Sequence, residues 1–179
     1  MTKFPPLAVV PPIVFAAIAW LFYSGMLRDD PDSLPSAFVD QDAPRVSVEP
    51  LSGLMPFSDE LLHVSGPKLI NFWASWCAPC RVEHPQLMTL EAEGLKIYGV
   101  NYKDDPARAR NFLDRFGDPY KGIGADPDGR MALDWGVYGI PETFVVDGNG
   151  KVIFRFAGPV TDVILRKRIR PALAKALAE

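Results

Sequence analysis

Hydrophobic and polar positions divide the chain into one unbroken apolar block and a succession of short periodic segments. Phe4–Leu27 carries no charged residue, with Lys3 before it and Arg28, Asp29 and Asp30 after it. About 20 apolar residues suffice to span a membrane, so the block predicts an N-terminal transmembrane anchor over residues 1–27. Pro5, Pro6, Pro11 and Pro12 disfavour a continuous helix in its first half. Pro12 is tolerated in a first turn, which leaves Ile13–Leu27 as the firmly helical part. That part is short for a full span, so the proline-bearing half must contribute or the membrane must thin. A cleaved signal peptide, with Ala17-Ile18-Ala19 as its small-x-small site, is the competing reading. Apolar character continuing to Leu27 favours the uncleaved anchor. Either way Lys3 stays cytoplasmic and the remainder is exported.

Beyond the block, Arg28–Ala43 is rich in Asp, Pro and Ser and reads as a linker, leaving a domain over residues 44–179. Alternation predicts a short strand within Arg45–Leu51, and Phe57–Leu62 reads as a short helix capped by Ser58 or Asp59. Lys68–Trp73 is a continuous apolar and aromatic run, the pattern of a buried strand. A helix follows over Arg81–Glu93, opening near Ser75 or Cys77, kinked at Pro85 and closed by Gly94. Leu95–Tyr102 is a second strand. Asp105-Pro106 starts a helix whose Ala109, Phe112, Leu113 and Phe116 share one face. Ile123–Ala125 and Arg130–Trp135 read as a short strand and a short helix. Thr143–Val146 and Lys151–Phe156 flank Asp147-Gly148-Asn149-Gly150, a hairpin signal that makes them antiparallel. Thr161 caps a last helix striped by Leu165, Ile169, Leu173 and Leu177, with Arg166-Lys167-Arg168 on a solvated face. The order predicts an α/β fold, a mixed central sheet with helices on both faces.

Composition narrows the function classes. A net charge of −3 and a pI near 5.4 give no sign of nucleic-acid binding. Cys77 and Cys80 are the only cysteines, too few for a disulfide framework. Arg81 stands where c-type haem attachment requires histidine, and a structural zinc site lacks its fourth ligand even if His63 or His84 joins the pair. What remains is a redox pair at the start of a helix. There the orphan N–H groups and the helix dipole favour a thiolate at Cys77. Cys77 is therefore expected to be the exposed attacking thiol, and Cys80, a turn deeper, the buried resolving one. No cofactor beyond this redox-active pair is called for, and no metal site.

Strand, Trp76-Cys77-Ala78-Pro79-Cys80 and helix, followed by Ile140-Pro141-Glu142-Thr143, resemble a thioredoxin fold. Asn101-Tyr102-Lys103-Asp104-Asp105, Gly136–Phe144 and Asp147–Gly150 narrow the resemblance to the cytochrome c maturation branch, the membrane-anchored thiol–disulfide interchange proteins of the bacterial periplasm. The similarity runs from about Pro44 to the end. It implies an inner-membrane, single-pass protein facing the periplasm. It implies a reductant that keeps the haem-binding cysteines of apocytochrome c reduced and is itself re-reduced by a transmembrane thiol electron donor. Relatives on the same scaffold reduce copper-site or sporulation proteins, and a metal-binding module built on Cys77, Cys80 and His84 is the non-enzymatic rival.

The resemblance also implies a cis Ile140–Pro141 bond beside the cysteines and a substrate groove formed by Trp76, Ala78, Pro79, Glu83, Ile140, Pro141 and Glu142. Glu83, three residues after Cys80, and Glu142 are read as carboxylates that raise the thiol pKa, or else as solvated charges. Asn71 occupies the place of the buried acid of thioredoxin. An amide takes no proton, so Glu83, Glu142 or water would have to serve.

Overall fold

The computed structural model describes residues 10–26, 38–51 and 53–178. The chain forms two compact units, Met1–Leu34 and Pro35–Glu179. In the first, helix α1 covers Val10–Met26, with Pro11 and Pro12 accommodated at its start. Its apolar side chains, Phe15, Trp20 and Leu21 among them, are exposed. Among the described residues no helix is long and apolar enough to cross a membrane. Lys3, the run before Val10 and positions 27–37 lie outside the described residues.

The second unit is built on one six-stranded sheet. Its strands are β1 (Glu49–Pro50), β2 (Lys68–Trp73), β3 (Lys96–Tyr102), β4 (Gly122–Asp126), β5 (Glu142–Val146) and β6 (Val152–Ala157), in the order β1-β4-β3-β2-β5-β6. β2, β3 and β4 run parallel, while β5, β6 and β1 run antiparallel to their neighbours. The expected mixed sheet is thus present. The first strand is shorter than its alternating pattern suggested. The far end of the segment read as a linker is tied to the domain: Asp40 N–H donates to Val152 O, and Ala43 N–H to Gly150 O.

β2 is central and buried on both sides, which explains its unbroken apolar run. Leu69 and Trp73 face a core shared with α2 (Ala78–Ala92), α3 (Pro106–Phe116) and the C-terminal helix. Ile70 and Phe72 face a second core with Phe144, Trp135 and Met131, the latter on α4 (Arg130–Asp134), beside the 3₁₀ turn Asp59–His63. Helices therefore cover both faces. Asp105 caps α3 by accepting from Arg108 N–H at 2.9 Å.

The C-terminal helix departs from its expected stripe. It runs as α5 (Asp162–Ile164), a π segment (Leu165–Ile169) and α6 (Arg170–Ala178). Leu165 and Ile169 are buried, but Ala172 and Ala176 succeed them, and Leu177 is 72% exposed. A strict four-residue spacing drifts by about 40° per step around an α-helix, so the buried stripe moves to positions three and seven beyond Ile169. In the π segment Arg170 N–H reaches back to Leu165 O, next to Pro171, which has no N–H of its own. Arg166 and Lys167 are exposed, and the Arg168 guanidinium lies 5.7 Å from the centre of the Phe154 ring.

Candidate active site

The turn after β2 carries the cysteines. Cys77 is the N-cap of α2, with Ala78 and Pro79 opening the helix, and its Sγ accepts from Cys80 N–H at 3.1 Å. Pro79 offers no N–H, so Cys80 supplies the capping donor. Cys77 and Cys80 are joined as a disulfide. In this oxidised state the expected contrast in exposure is absent: Cys77 is 4% and Cys80 3% exposed. The bonded sulfurs shield one another under the turn, so being the N-cap does not by itself expose Cys77.

Asp104 fastens this turn to the end of β3. It accepts from Ser75 N–H at 2.6 Å, Ser75 Oγ at 2.8 Å and Asn101 Nδ2 at 2.9 Å. Trp76, 56% exposed, donates its Nε1–H to Lys103 O at 3.0 Å. Ala78 and Pro79 are exposed beside it. Ile140–Pro141 is cis, as the resemblance implied. Ile140 is half-buried and Pro141 buried, immediately before β5. Since Glu142 pairs with Phe72, Pro141 stands level with the end of β2.

The two glutamates are not groove residues, and neither is solvated. Glu83 is 0% exposed. It follows Cys80 by three positions on α2, the spacing of neighbours on one helix face. One carboxylate oxygen accepts from Asn71 Nδ2 at 2.8 Å, the other from Val160 N–H at 2.9 Å. Asn71 Nδ2 also donates to Thr143 Oγ1 at 3.1 Å, and Tyr120 Oη donates to Asn71 Oδ1 at 2.8 Å. Burial pushes the Glu83 carboxyl up to about 7, against the lowering pull of Val160 N–H and the Asn71 amide. Burial, then the Glu83 and Asp118 charges, push the Tyr120 hydroxyl well above its ordinary range.

Glu142, also 0% exposed, belongs to the other face of the sheet. Successive strand residues alternate, and Thr143 takes the face of Asn71 while Glu142 takes that of Phe72. Its carboxylate pairs with Arg155, whose Nη2 also donates to Gly136 O at 2.8 Å and whose guanidinium stacks 4.8 Å from the centre of the Tyr138 ring. Burial raises the Glu142 carboxyl and Arg155 opposes this. The pair ties the loop leading to Pro141 onto β6. His84 is buried against Phe112 and Phe116, its Nε2 3.0 Å from Gly117 O, and burial lowers its pKa.

The site is thus a helix-capping disulfide, a buried ionisable carboxyl three positions after Cys80 on the same helix, and a cis-proline loop leading into β5. The Redoxin family matches residues 40–169. The chain belongs to this family. Within the redoxins it sides with the thiol:disulfide interchange proteins. HelX of Rhodobacter capsulatus, so named, is 50% identical over 169 residues, 94% of this chain and 96% of its own length. DsbE of Escherichia coli is 39% identical over 172 residues, 93% of each chain. The fold is also that of a secreted thiol-disulfide isomerase of Corynebacterium glutamicum, with a TM-score of 0.66 at 24% identity, covering 83% of this chain and 95% of that one. This redoxin is a thiol–disulfide oxidoreductase, and it carries the Cys77–Cys80 disulfide at the start of α2.

Asp104, Tyr120, Thr143 and Arg155 escaped sequence reading as site residues. Asp104 sits in the motif that carried the resemblance, which is a signal of sorts. Tyr120, in a loop between periodic segments, gives none.

Proposed function

We propose that this redoxin is a membrane-tethered periplasmic reductant that keeps the haem-binding cysteines of apocytochrome c in the dithiol state. Cys77, as thiolate, attacks one sulfur of the client disulfide, and the client's other thiolate leaves. Cys80 loses its proton to Glu83 and attacks Cys77 Sγ in the mixed disulfide, which releases the second client thiol. Two electrons pass to the client, and Cys77–Cys80 closes. A transmembrane thiol donor reopens it by the same exchange in reverse, and no further cofactor takes part.

Glu83 carries this reading. With a pKa of about 7, it can take the Cys80 proton at neutral pH and return it. Its charge, when ionised, disfavours a nearby thiolate. Oxidants in this class are strong because their reduced form is stabilised, so a buried anion at the pair withdraws that stabilisation and favours a reductant. The names of the HelX and DsbE relatives support the exchange chemistry, and the cytochrome c client rests on the resemblance carried by Asn101–Asp105, Gly136–Phe144 and Asp147–Gly150. The direct test offers the reduced protein an oxidised haem-site peptide and a disulfide-bearing copper-site protein. Faster reduction of the haem-site peptide is expected; preference for the copper-site protein would overturn the assignment of client.

The anchor belongs to the same reading. Support comes from the uncharged run Phe4–Leu27 and from a helix α1 that exposes apolar side chains all round. Its 17 residues extend about 25 Å, most of the ~30 Å hydrocarbon core. Carbonate-washed membranes should retain the full-length chain, and a phosphatase fused after Glu179 should be active. A shortened soluble form, or an inactive phosphatase, would refute this.

A further inference from the structure

Beside the disulfide lies an open groove of about 370 Å³ whose walls include Trp76, Phe112, Phe116, Arg81, Arg108 and Arg115. It stands on the flank of Cys77 away from Pro141. β2 lies between β3 and β5 in the sheet; α3, which lines the groove, follows β3, and Pro141 precedes β5. A polypeptide joined to Cys77 therefore has the cis-proline loop on one side and this groove on the other.

The groove is apolar at its floor and cationic at its rim. Arg108 and Arg115, seven residues apart on α3, share an exposed face, and Arg81 comes from the first turn of α2. The guanidinium groups of Arg81 and Arg115 lie 5.4 and 5.2 Å from the centre of the Phe116 ring. Among the described residues none of the three pairs with a carboxylate, whereas Arg110, Arg166 and Arg170 each do. The nearby acids are already engaged. Asp104 accepts from Ser75 and Asn101, and Asp105 caps α3. Three unpaired guanidinium groups around exposed aromatic surface, in a chain of net charge −3, form a local cationic site against the overall sign. Planar guanidinium forks suit carboxylates.

We propose that this groove binds acidic side chains of the client polypeptide close to its reactive cysteine, and so selects clients by the charge on one flank. The proposal rests on the reading that Cys77 takes a polypeptide client. The chemistry it recognises is a carboxylate on an extended segment that carries an apolar side chain onto Phe112 and Phe116.

The test uses the full chain in detergent, oxidised, and two labelled peptides with serine in place of the reactive cysteine. One has a Glu-Glu pair near that serine and the other Lys-Lys. At low salt the acidic peptide should bind about tenfold more tightly by fluorescence anisotropy, and the preference should shrink toward parity at about 0.5 M salt. Arg108→Glu/Arg115→Glu, at two exposed positions, should reverse it, and Arg108→Gln/Arg115→Gln should weaken it. Equal affinities for the two peptides, or a preference unchanged in both variants, would overturn the proposal. Because these peptides carry no thiol, that failure is distinct from failure of the reductase reading, which is scored by exchange with a disulfide-bearing peptide.

Discussion

The amide of Asn71 donates to the carboxylate of Glu83 at 2.8 Å, in a place sealed from solvent on the disulfide side of the sheet. Asn71 is a strand residue and Glu83 a helix residue, and the bond joins the two elements that bracket the cysteines. An amide in the position of an acid does not leave the site without a proton acceptor. In the mechanism proposed above it holds the acceptor, Glu83, which stands on the neighbouring helix.

Glu83→Gln should flatten the pH dependence of stability. The Glu83 carboxyl titrates near 7 in the folded protein and near 4.5 when unfolded. Between those values the folded state holds a proton that the unfolded state has lost. Its contribution is fully present below pH 4.5 and is lost as pH rises through about 7, some 3 kcal/mol in all. Urea titrations at pH 5 and pH 8 should show that loss in the wild type and not in Glu83→Gln. An equal loss in both proteins would place the titration elsewhere. The same substitution should slow resolution of the mixed disulfide by about a hundredfold, the scale of a missing general base.

Tyr120→Phe should move the Glu83 titration upward. Tyr120 Oη donates to Asn71 Oδ1, which fixes the amide with its NH₂ toward Glu83. Without that hydroxyl the amide is free to turn its oxygen toward the carboxylate, and an ionised Glu83 loses a donor. The pH profile of resolution should shift to higher pH, while Tyr120→Phe combined with Glu83→Gln should show no inflection. A profile unmoved by Tyr120→Phe would show that the hydroxyl does not position the amide.

What was legible in the sequence was local. Lys68–Trp73, the Asp105-capped α3 and the Asp147–Gly150 hairpin each declare themselves within a few residues, and the cysteine pair stands out by its setting between a buried strand and a helix. The fate of the two glutamates was not legible, because it depends on partners far along the chain. Glu83 is sealed by Val160 N–H, 77 residues away, and by a strand residue 12 positions back. Glu142 is buried by Arg155, across a hairpin, and strand alternation sends it to the opposite face from Thr143. In the C-terminal stripe Leu165, Ile169 and Leu173 do pack on the core, and only Leu177 was misread, because a spacing of four drifts from the helical period.

Arg155→Ala should be strongly destabilising, by about 3 kcal/mol or more, since it leaves the Glu142 carboxylate buried without its cation. It also frees Gly136 O and the Tyr138 ring, and with them the loop that carries Pro141. Arg155→Ala/Glu142→Gln should recover part of the loss, because no charge is then buried alone. Chemical denaturation of the three proteins at neutral pH decides this, and no recovery in the double variant would mean that the pair acts by packing and not by charge.

The central claim is the division of labour between the two sulfurs, and trapping measures it most directly. Cys77 Sγ sits at the helix cap, accepting from Cys80 N–H, where a thiolate is favoured, while Cys80 is buried within α2, three positions before the buried Glu83. Cys80→Ser, reduced and mixed with an oxidised haem-site peptide, should accumulate a stable mixed disulfide through Cys77, seen as a mass increase equal to one peptide. Cys77→Ser should accumulate little. Equal trapping by both variants, or more by Cys77→Ser, would contradict the account.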